Sequence, residues 1–426
     1  MHCRHCNTEL KHEFVDLVSS PPANSFLSHE ELNEPEVYYP LKLYVCHECF
    51  LVQIDEYKKA TEIFNNDYIY YSSFSKSWLE HAKRYTEMMQ ERFGINEDSM
   101  VVEIASNDGY LLQYFKEKNV SVLGIEPTRN TAAEAVKKGI STITDYFSKK
   151  LAVRLGLKAN LLIGNNVLAH VPDINDFVSG MKMLLADDGI ITMEFPHLLK
   201  LIEECQFDTI YHEHFSYLSF VSVKRIFEAQ GLEMFDVQEI STHGGSLRIF
   251  AKHAGNQKHQ ITPNVEKLLQ KEEAAGLKNI GSYADFQSKV SKIKYDFLLF
   301  LLEKKKEGKK IAAYGAAAKG NTFLNYCGVV GTELIEFAVD ASPYKQNKYL
   351  PGSHIPVVNE YKIKEQKPDY VVILPWNLRD EISKQLSYIG DWGGQFVTCI
   401  PDLKVISPKK AVQDNVSAQK LEEVEK

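Results

Sequence analysis

The feature that most limits what this chain can fold into is a series of short apolar segments, at residues 100–104, 120–125, 161–164 and 189–195, each separated from the next by a helical pattern. Segments of this length, rich in Val, Ile and Leu, read as strands, and the intervening stretches carry apolar residues at helical spacing. Strands that are apolar at successive positions must be covered on both faces, so the series predicts a doubly wound α/β sheet. A helix near residues 215–231 and two strand patterns at 234–240 and 246–252 follow, and the latter extend the sheet as an antiparallel pair.

At 426 residues and 44% hydrophobic content the chain exceeds one core, because domains usually hold roughly 100 to 200 residues. We place a metal-stapled module at 1–75, the doubly wound domain at 76–255, a smaller Rossmann-like α/β domain at 256–406 and a charged tail at 407–426. The stretch with Phe286, Val290, Ile293, Phe297 and Phe300 at spacings of four, three, four and three is a long helix expected to bridge two lobes. A formal charge of -8 without an extended basic run argues against nucleic acid as partner. The longest run of large apolar side chains, 297–302, is far below the roughly 20 residues of a membrane helix. Met1-His2-Cys3-Arg4 lacks a secretory apolar region, so the expected location is cytoplasmic. Monomer and homodimer both stay open.

Four of the seven cysteines form two knuckles, Cys3-x-x-Cys6 and Cys46-x-x-Cys49. Two such pairs supply the four thiolates of a closed zinc site, which has no open position for catalysis. His5 and His47 leave the ligand set open to a variant, and Cys205, Cys327 and Cys399 are read as buried thiols.

Chemistry is expected where strands end. The strand holding Glu103 runs into Ala105-Ser106-Asn107-Asp108-Gly109, and the next ends in Glu126-Pro127 about 20 residues on. An acid and a tight turn at one strand end, with a second acid at the next, suit the methionine and ribose parts of S-adenosylmethionine. A plain strand-to-helix turn is the alternative, since only Gly109 stands where three glycines are usual. Asp145 and Tyr146 offer a carboxylate and a ring for adenine, or else a helix cap before Ser148. Asn165 and Asn166 lie at the carboxyl edge of the fourth strand, followed by His170 in Ala-His-Val-Pro-Asp, which either faces the site or caps the loop. The densest titratable cluster is Tyr211-His212-Glu213-His214. Metal ligation by His212 and His214 competes with proton transfer there, although no H-E-x-x-H spacing occurs.

Read in order, the two cysteine knuckles, YYSSFSKSW, EIASNDG, GIEP, NNVLAHVPD, YHEHFSYLS, GGSLR and YGAAAKGN resemble the S-adenosylmethionine-dependent nucleotide-sugar C-methyltransferases over nearly the whole chain. The likeness is to enzymes that branch C3 of a 4-keto-6-deoxy sugar, as in tetronitrose biosynthesis. It implies a zinc-binding module, a Rossmann-like class I methyltransferase domain and a Rossmann-like C-terminal domain. It also implies a dTDP- or GDP-linked keto sugar as substrate. By the resemblance, catalytic groups fall on His170, Tyr211, Glu213 and His214, with a tyrosine of YYSS, Tyr70 or Tyr71, of which we take Tyr71. His214 is then the base for a proton beside the ketone, and Tyr211 and His170 donate to the enolate oxygen. Gly315, Lys319 and Asn321 are expected to hold the nucleotide diphosphate, with Arg248 assisting. O- or N-methylation of a related sugar is the competing enzymatic reading; a scaffold with an inactive methyltransferase fold is the other.

Overall fold

A computed structural model describes residues 1–59, 62 and 71–408, so Tyr70 and most of the tail lie outside the described residues. At the N-terminus, β1 (His12–Ser20), β2 (Tyr39–Val45) and β3 (Val52–Ile54) pair antiparallel. The middle of the chain supplies β4 (Met100–Ile104), β5 (Ser121–Ile125), β6 (Thr142–Ile143), β7 (Ala159–Asn165), β8 (Leu185–Pro196), β9 (Ser216–Tyr217), β10 (Leu232–Ile240) and β11 (Ser246–His253). Seven of these form one sheet in the order β10-β11-β8-β7-β4-β5-β6, with β4 to β8 parallel and β10 and β11 antiparallel. The order reverses at β4, so a crevice opens beyond the carboxyl ends of β4 and β7, where such sheets take their ligands.

The helix Lys76–Phe93 that leads into this sheet has local reasons for its ends. The Ser75 side chain accepts from Trp78 N, and Gly94 closes it at φ 67°. It buries Ala82, Tyr85, Thr86 and Met89 along one stripe. The helix expected at 215–231 is shorter. It runs Phe220–Ala229 behind a Ser219–Ser222 capping box, because Ser216–Tyr217 leaves as β9 and joins β3 of the N-terminal sheet. The chain order alone hides that pairing, since the partners lie more than 160 residues apart.

The third sheet contains β12 (Ile311–Tyr314), β13 (Ala338–Val339), β14 (Lys348–Tyr349), β15 (Pro356–Val358), β16 (Tyr370–Ile373), β17 (Gln395–Thr398) and β18 (Lys404–Ile406). Its order is β14-β15-β13-β12-β16-β17-β18, a parallel centre with antiparallel edges. The long helix Phe286–Lys306 packs Phe286 on Phe14 of β1, centroids 4.6 Å apart, and Phe297 on Phe323 of the helix Ala318–Cys327, 4.8 Å apart. One apolar core therefore runs from the first lobe through this helix into the third sheet. Cys205, Cys327 and Cys399 are buried free thiols, as expected.

Candidate active site

The two cysteine knuckles converge. Cys3 and Cys49 sulfurs lie 3.5 Å apart, Cys6 and Cys46 3.5 Å, and Cys6 and Cys49 3.6 Å. Tetrahedral zinc with bonds of about 2.3 Å puts its sulfurs about 3.8 Å apart, so the set fits that ion with small relaxation. Among the described residues this is the one group able to hold a metal. His212 and His214 do not converge: His212 Nε2 faces the Tyr39 and Pro40 carbonyls at 3.3 and 3.2 Å.

The knuckle is attached to the loops that carry His170 and His214. Arg4 donates to the Ile54 carbonyl at 2.5 Å and the Pro172 carbonyl at 2.8 Å. Ile54 N donates to Phe215 O at 3.2 Å, and Phe215 N donates to Ala169 O at 2.8 Å. The zinc module thus binds both segments that carry His170 and His214.

At the crevice, Ala105, Asn107 and Gly109 all have positive φ, 57°, 49° and 74°, which turns the chain sharply out of β4. Gly124 makes room for this turn, since a Cβ there would stand 2.4 Å from Ser106 Oγ. Burial holds the Glu103 carboxyl well above its ordinary range, with the Tyr110 hydroxyl drawing it back. Glu126, followed by Pro127, accepts from Asn107 N and Thr128 N, both at 2.9 Å, and stiffens the turn. Asn165 is buried with neither side-chain atom hydrogen-bonded, an arrangement that native proteins usually reserve for a ligand or water. Two expected groups stand differently. Asp145 is half exposed and ion-paired with Arg154 at 2.6 Å, while Ser148 caps the helix Lys149–Leu155. Tyr146 is half-buried beside Asp145, its backbone N–H donating to the Asp145 carboxylate at 2.9 Å.

His170 and His214 face each other with ring centroids 4.6 Å apart, and Tyr211 lies 4.1 Å from His214. His170 Nδ1 meets Glu213 O at 2.8 Å, and His214 Nδ1 meets Thr209 O at 3.0 Å. A carbonyl only accepts, so each Nδ1 carries the proton and each Nε2 presents a lone pair. Burial pushes His170 down to about 4 and, with His170 adding to it, holds His214 well below the imidazole range. Both rings are neutral near pH 7. With Nδ1–H given to the Glu213 carbonyl, a neutral His170 carries no second ring N–H. Glu213 turns its carboxylate to Asn24 of the N-terminal lobe at 2.7 Å rather than to a histidine. The Tyr71 hydroxyl accepts from Asn130 at 3.2 Å, and its ring neighbours Phe74 and Tyr344.

The third lobe meets this loop through the helix Ala318–Cys327, whose Thr322 hydroxyl donates to Ile210 O at 2.8 Å. Gly315, at φ 91°, passes so close to Pro375 that a Cβ would lie 2.4 Å from its ring. Lys319 donates to Asn377 at 2.9 Å, sits 4.9 Å over the Trp376 ring and is felt electrostatically by His214. Burial lowers its pKa and Asp208 raises it. Asn321 donates one of its two amide N–H groups to Ala23 O at 2.6 Å. Arg248 is likewise not where expected: it is buried in β11 and paired across the strand with Glu194 at 2.5 Å, which His81 also contacts at 2.8 Å. Burial opposes ionisation of Glu194, but His81 and Arg248 hold its carboxyl below the ordinary range. The sequence reading did not single out His81, Asp208, His243 or Trp376, which border the crevice contacts without a spacing signal.

The seven-stranded sheet, its crevice and the four-cysteine knuckle define a Rossmann-like S-adenosylmethionine-dependent methyltransferase with a zinc-binding domain. Residues 3–64 match the family model described as "Putative zinc binding domain", 78–237 the methyltransferase domain and 241–401 the C-methyltransferase C-terminal domain. The C-methyltransferase NovU of Streptomyces niveus is 34% identical over 414 residues, covering 96% of this chain and 98% of that one. The chain belongs to this family of C-methyltransferases. Among solved structures, magnesium protoporphyrin IX methyltransferase of Synechocystis PCC 6803 is 15% identical, covering 41% of this chain and 79% of its own, at a TM-score of 0.33. An S-adenosylmethionine-dependent methyltransferase of Mesorhizobium loti is 12% identical, covering 41% and 100%, at 0.34. Scores so low carry no weight. Among the described residues, no helix is long and apolar enough to cross a membrane.

Proposed function

We propose that the chain methylates the carbon beside the ketone, C3, of a dTDP- or GDP-linked 4-keto-deoxy sugar. The observation that carries this reading is the neutral imidazole of His214, its Nδ1 anchored on the Thr209 carbonyl and its ring packed between His170 and Tyr211 at the crevice. A hydroxyl or amine acceptor needs one base; removing a carbon-bound proton needs a base and stabilisation of the oxyanion that forms. His214 Nε2 takes the proton. The Tyr211 hydroxyl donates to the developing oxygen, and Lys319 adds positive charge from the third lobe. S-adenosylmethionine supplies the electrophilic methyl, which the enolate carbon takes as the carbon–sulfur bond breaks. The turn at 105–109, Glu126 and Asn165 hold the donor, while His170 keeps the His214 ring in place by edge contact and accepts from a substrate hydroxyl. Lys319, beside Gly315, also draws the anionic diphosphate. The zinc, closed by four thiolates, holds the knuckle and performs no step.

The test is mass spectrometry of S-adenosylmethionine with a panel of dTDP- and GDP-linked 4-keto-6-deoxy sugars, using His214→Ala as control. One added methyl on a carbon of one panel member, lost in the variant, is expected. A methyl on oxygen or nitrogen overturns the reading.

A further inference from the structure

His243 sits in the loop Thr242–Gly245 between β10 and β11, at φ 55° and ψ 22°, a left-handed conformation uncommon outside glycine. Several contacts hold it there. Gly244, at φ 89°, lies so close to Trp376 that a Cβ would meet its ring at 2.3 Å, and Gln206 donates to Gly244 O at 2.7 Å. Gly245 N and the Ser246 hydroxyl both donate to Thr242 O at 2.9 Å, and His197 N donates to Gly245 O at 3.1 Å. The loop is pinned from the methyltransferase sheet and the third lobe together.

The imidazole has one ring nitrogen engaged. Its Nε2 accepts from Asn166 Nδ2 at 3.2 Å, where β7 ends at the cofactor crevice, and the ring leans on Trp78 with centroids 5.3 Å apart. A neutral ring that accepts at Nε2 carries its proton at Nδ1. Nδ1 has no hydrogen-bond partner among the described residues. Burial and the Lys319 cation push the ring down to about 4, so it is uncharged. His214 and Lys319 both lie near enough to interact with it electrostatically. Asn166 ties the ring to the end of β7, while the adjoining Gly244 abuts Trp376, whose indole N–H donates to Asp208 at 2.8 Å, next to the Thr209 carbonyl that holds His214.

We propose that His243 is a further catalytic residue of this enzyme, donating its Nδ1–H to the keto oxygen of the acceptor while His214 Nε2 removes the proton from the adjacent carbon. The inference rests on the enolate reading above. In that step the carbon–hydrogen bond breaks, its proton goes to His214, and its electron pair moves through the new carbon–carbon double bond onto the oxygen. The pair returns when the carbon takes the methyl. His243 thus adds a neutral N–H donor to the site.

Asn and Asp have nearly the same shape, Asn keeping an N–H donor that the anionic, acceptor-only Asp lacks, and both residues tolerate left-handed backbone. Asn places its amide near the Nδ1 position, while Gln places it near Nε2. The measurement is exchange of solvent deuterium into the carbon beside the ketone of the accepted sugar, with S-adenosylmethionine affinity followed by calorimetry. His243→Asn is expected to stay within about tenfold of the wild type, and His243→Asp to fall by about 10² to 10³, with unchanged cofactor affinity in both. Equal rates for Asn and Asp, or Gln outperforming Asn, mark His243 as a strut for Asn166 and overturn the proposal. No exchange by the wild type, with methyl transfer intact, overturns the enolate reading itself.

Discussion

Replacing Arg4 by Met removes the guanidinium that ties the first cysteine knuckle to the catalytic loops while keeping most of the side chain's length. The two bonds lost, to Ile54 O and Pro172 O, are charge-assisted, and such bonds contribute about 1.5 to 3 kcal/mol each. Arg4 is half-buried, so water recovers part of the loss. The lower end, about 3 kcal/mol in all, is the expected decrease in unfolding free energy. The damage falls on chemistry as well as on stability. Pro172 follows His170 by two residues, and the Ile54 amide holds the carbonyl of Phe215, next to His214. A displacement near 1 Å in reacting groups lowers turnover by up to about 10². Urea unfolding followed by tryptophan fluorescence, turnover on the accepted sugar, and cofactor calorimetry separate the two effects. The expected result is an earlier midpoint, turnover reduced at least about tenfold, and unchanged cofactor affinity. Full turnover in a variant of clearly reduced stability refutes the argument, because the loops would then hold their geometry without the module.

Removing the zinc with a chelator, or making Cys46→Ser, is expected to act on the same loops: turnover falls while the spectrum of the central sheet in circular dichroism persists, and retained turnover argues against the coupling. Asn165→Leu is expected to weaken S-adenosylmethionine binding by about 10- to 100-fold, the effect of losing one or two hydrogen bonds to a buried polar partner, with little loss of stability; calorimetry and thermal melting check both halves. The imidazoles of His170 and His214 are pushed below the ordinary range by burial, so they remain unprotonated as pH falls through 6.5. The acid limb of kcat is therefore expected well below the free imidazole value of about 6.5, and a limb centred near that value contradicts the buried base.

Much of the architecture is legible in the sequence because parallel strands covered on both faces leave continuous apolar runs, as at Met100–Ile104 and Tyr370–Ile373. The zinc set is legible for a different reason: its ligands come as two local pairs. The positions of Tyr211, Glu213 and His214 on one loop were plain, but their partners were not. Asn24 on Glu213, Lys319 near His214 and Ser216 in the first sheet are contacts between distant segments, and such contacts have no local period. Arg248 shows the opposite failure. A basic residue in a glycine-rich segment reads as an anion binder, whereas its strand neighbour across the sheet is the buried Glu194. His243 carries no spacing signal, and only the backbone turn and the Asn166 contact single it out.

The strand Ser216–Tyr217 belongs by chain order to the middle domain and by hydrogen bonding to the first. An exchange of N-terminal lobes between relatives therefore cannot be made by cutting at a linker. A lobe received from another protein must find a matching edge in residues 216–217 and matching carbonyls at 172 and 215. Recombination that respects only the boundaries between domains would deliver a folded zinc knuckle beside a disordered catalytic loop. The first lobe and that loop are one heritable unit, though more than 150 residues of sequence separate them.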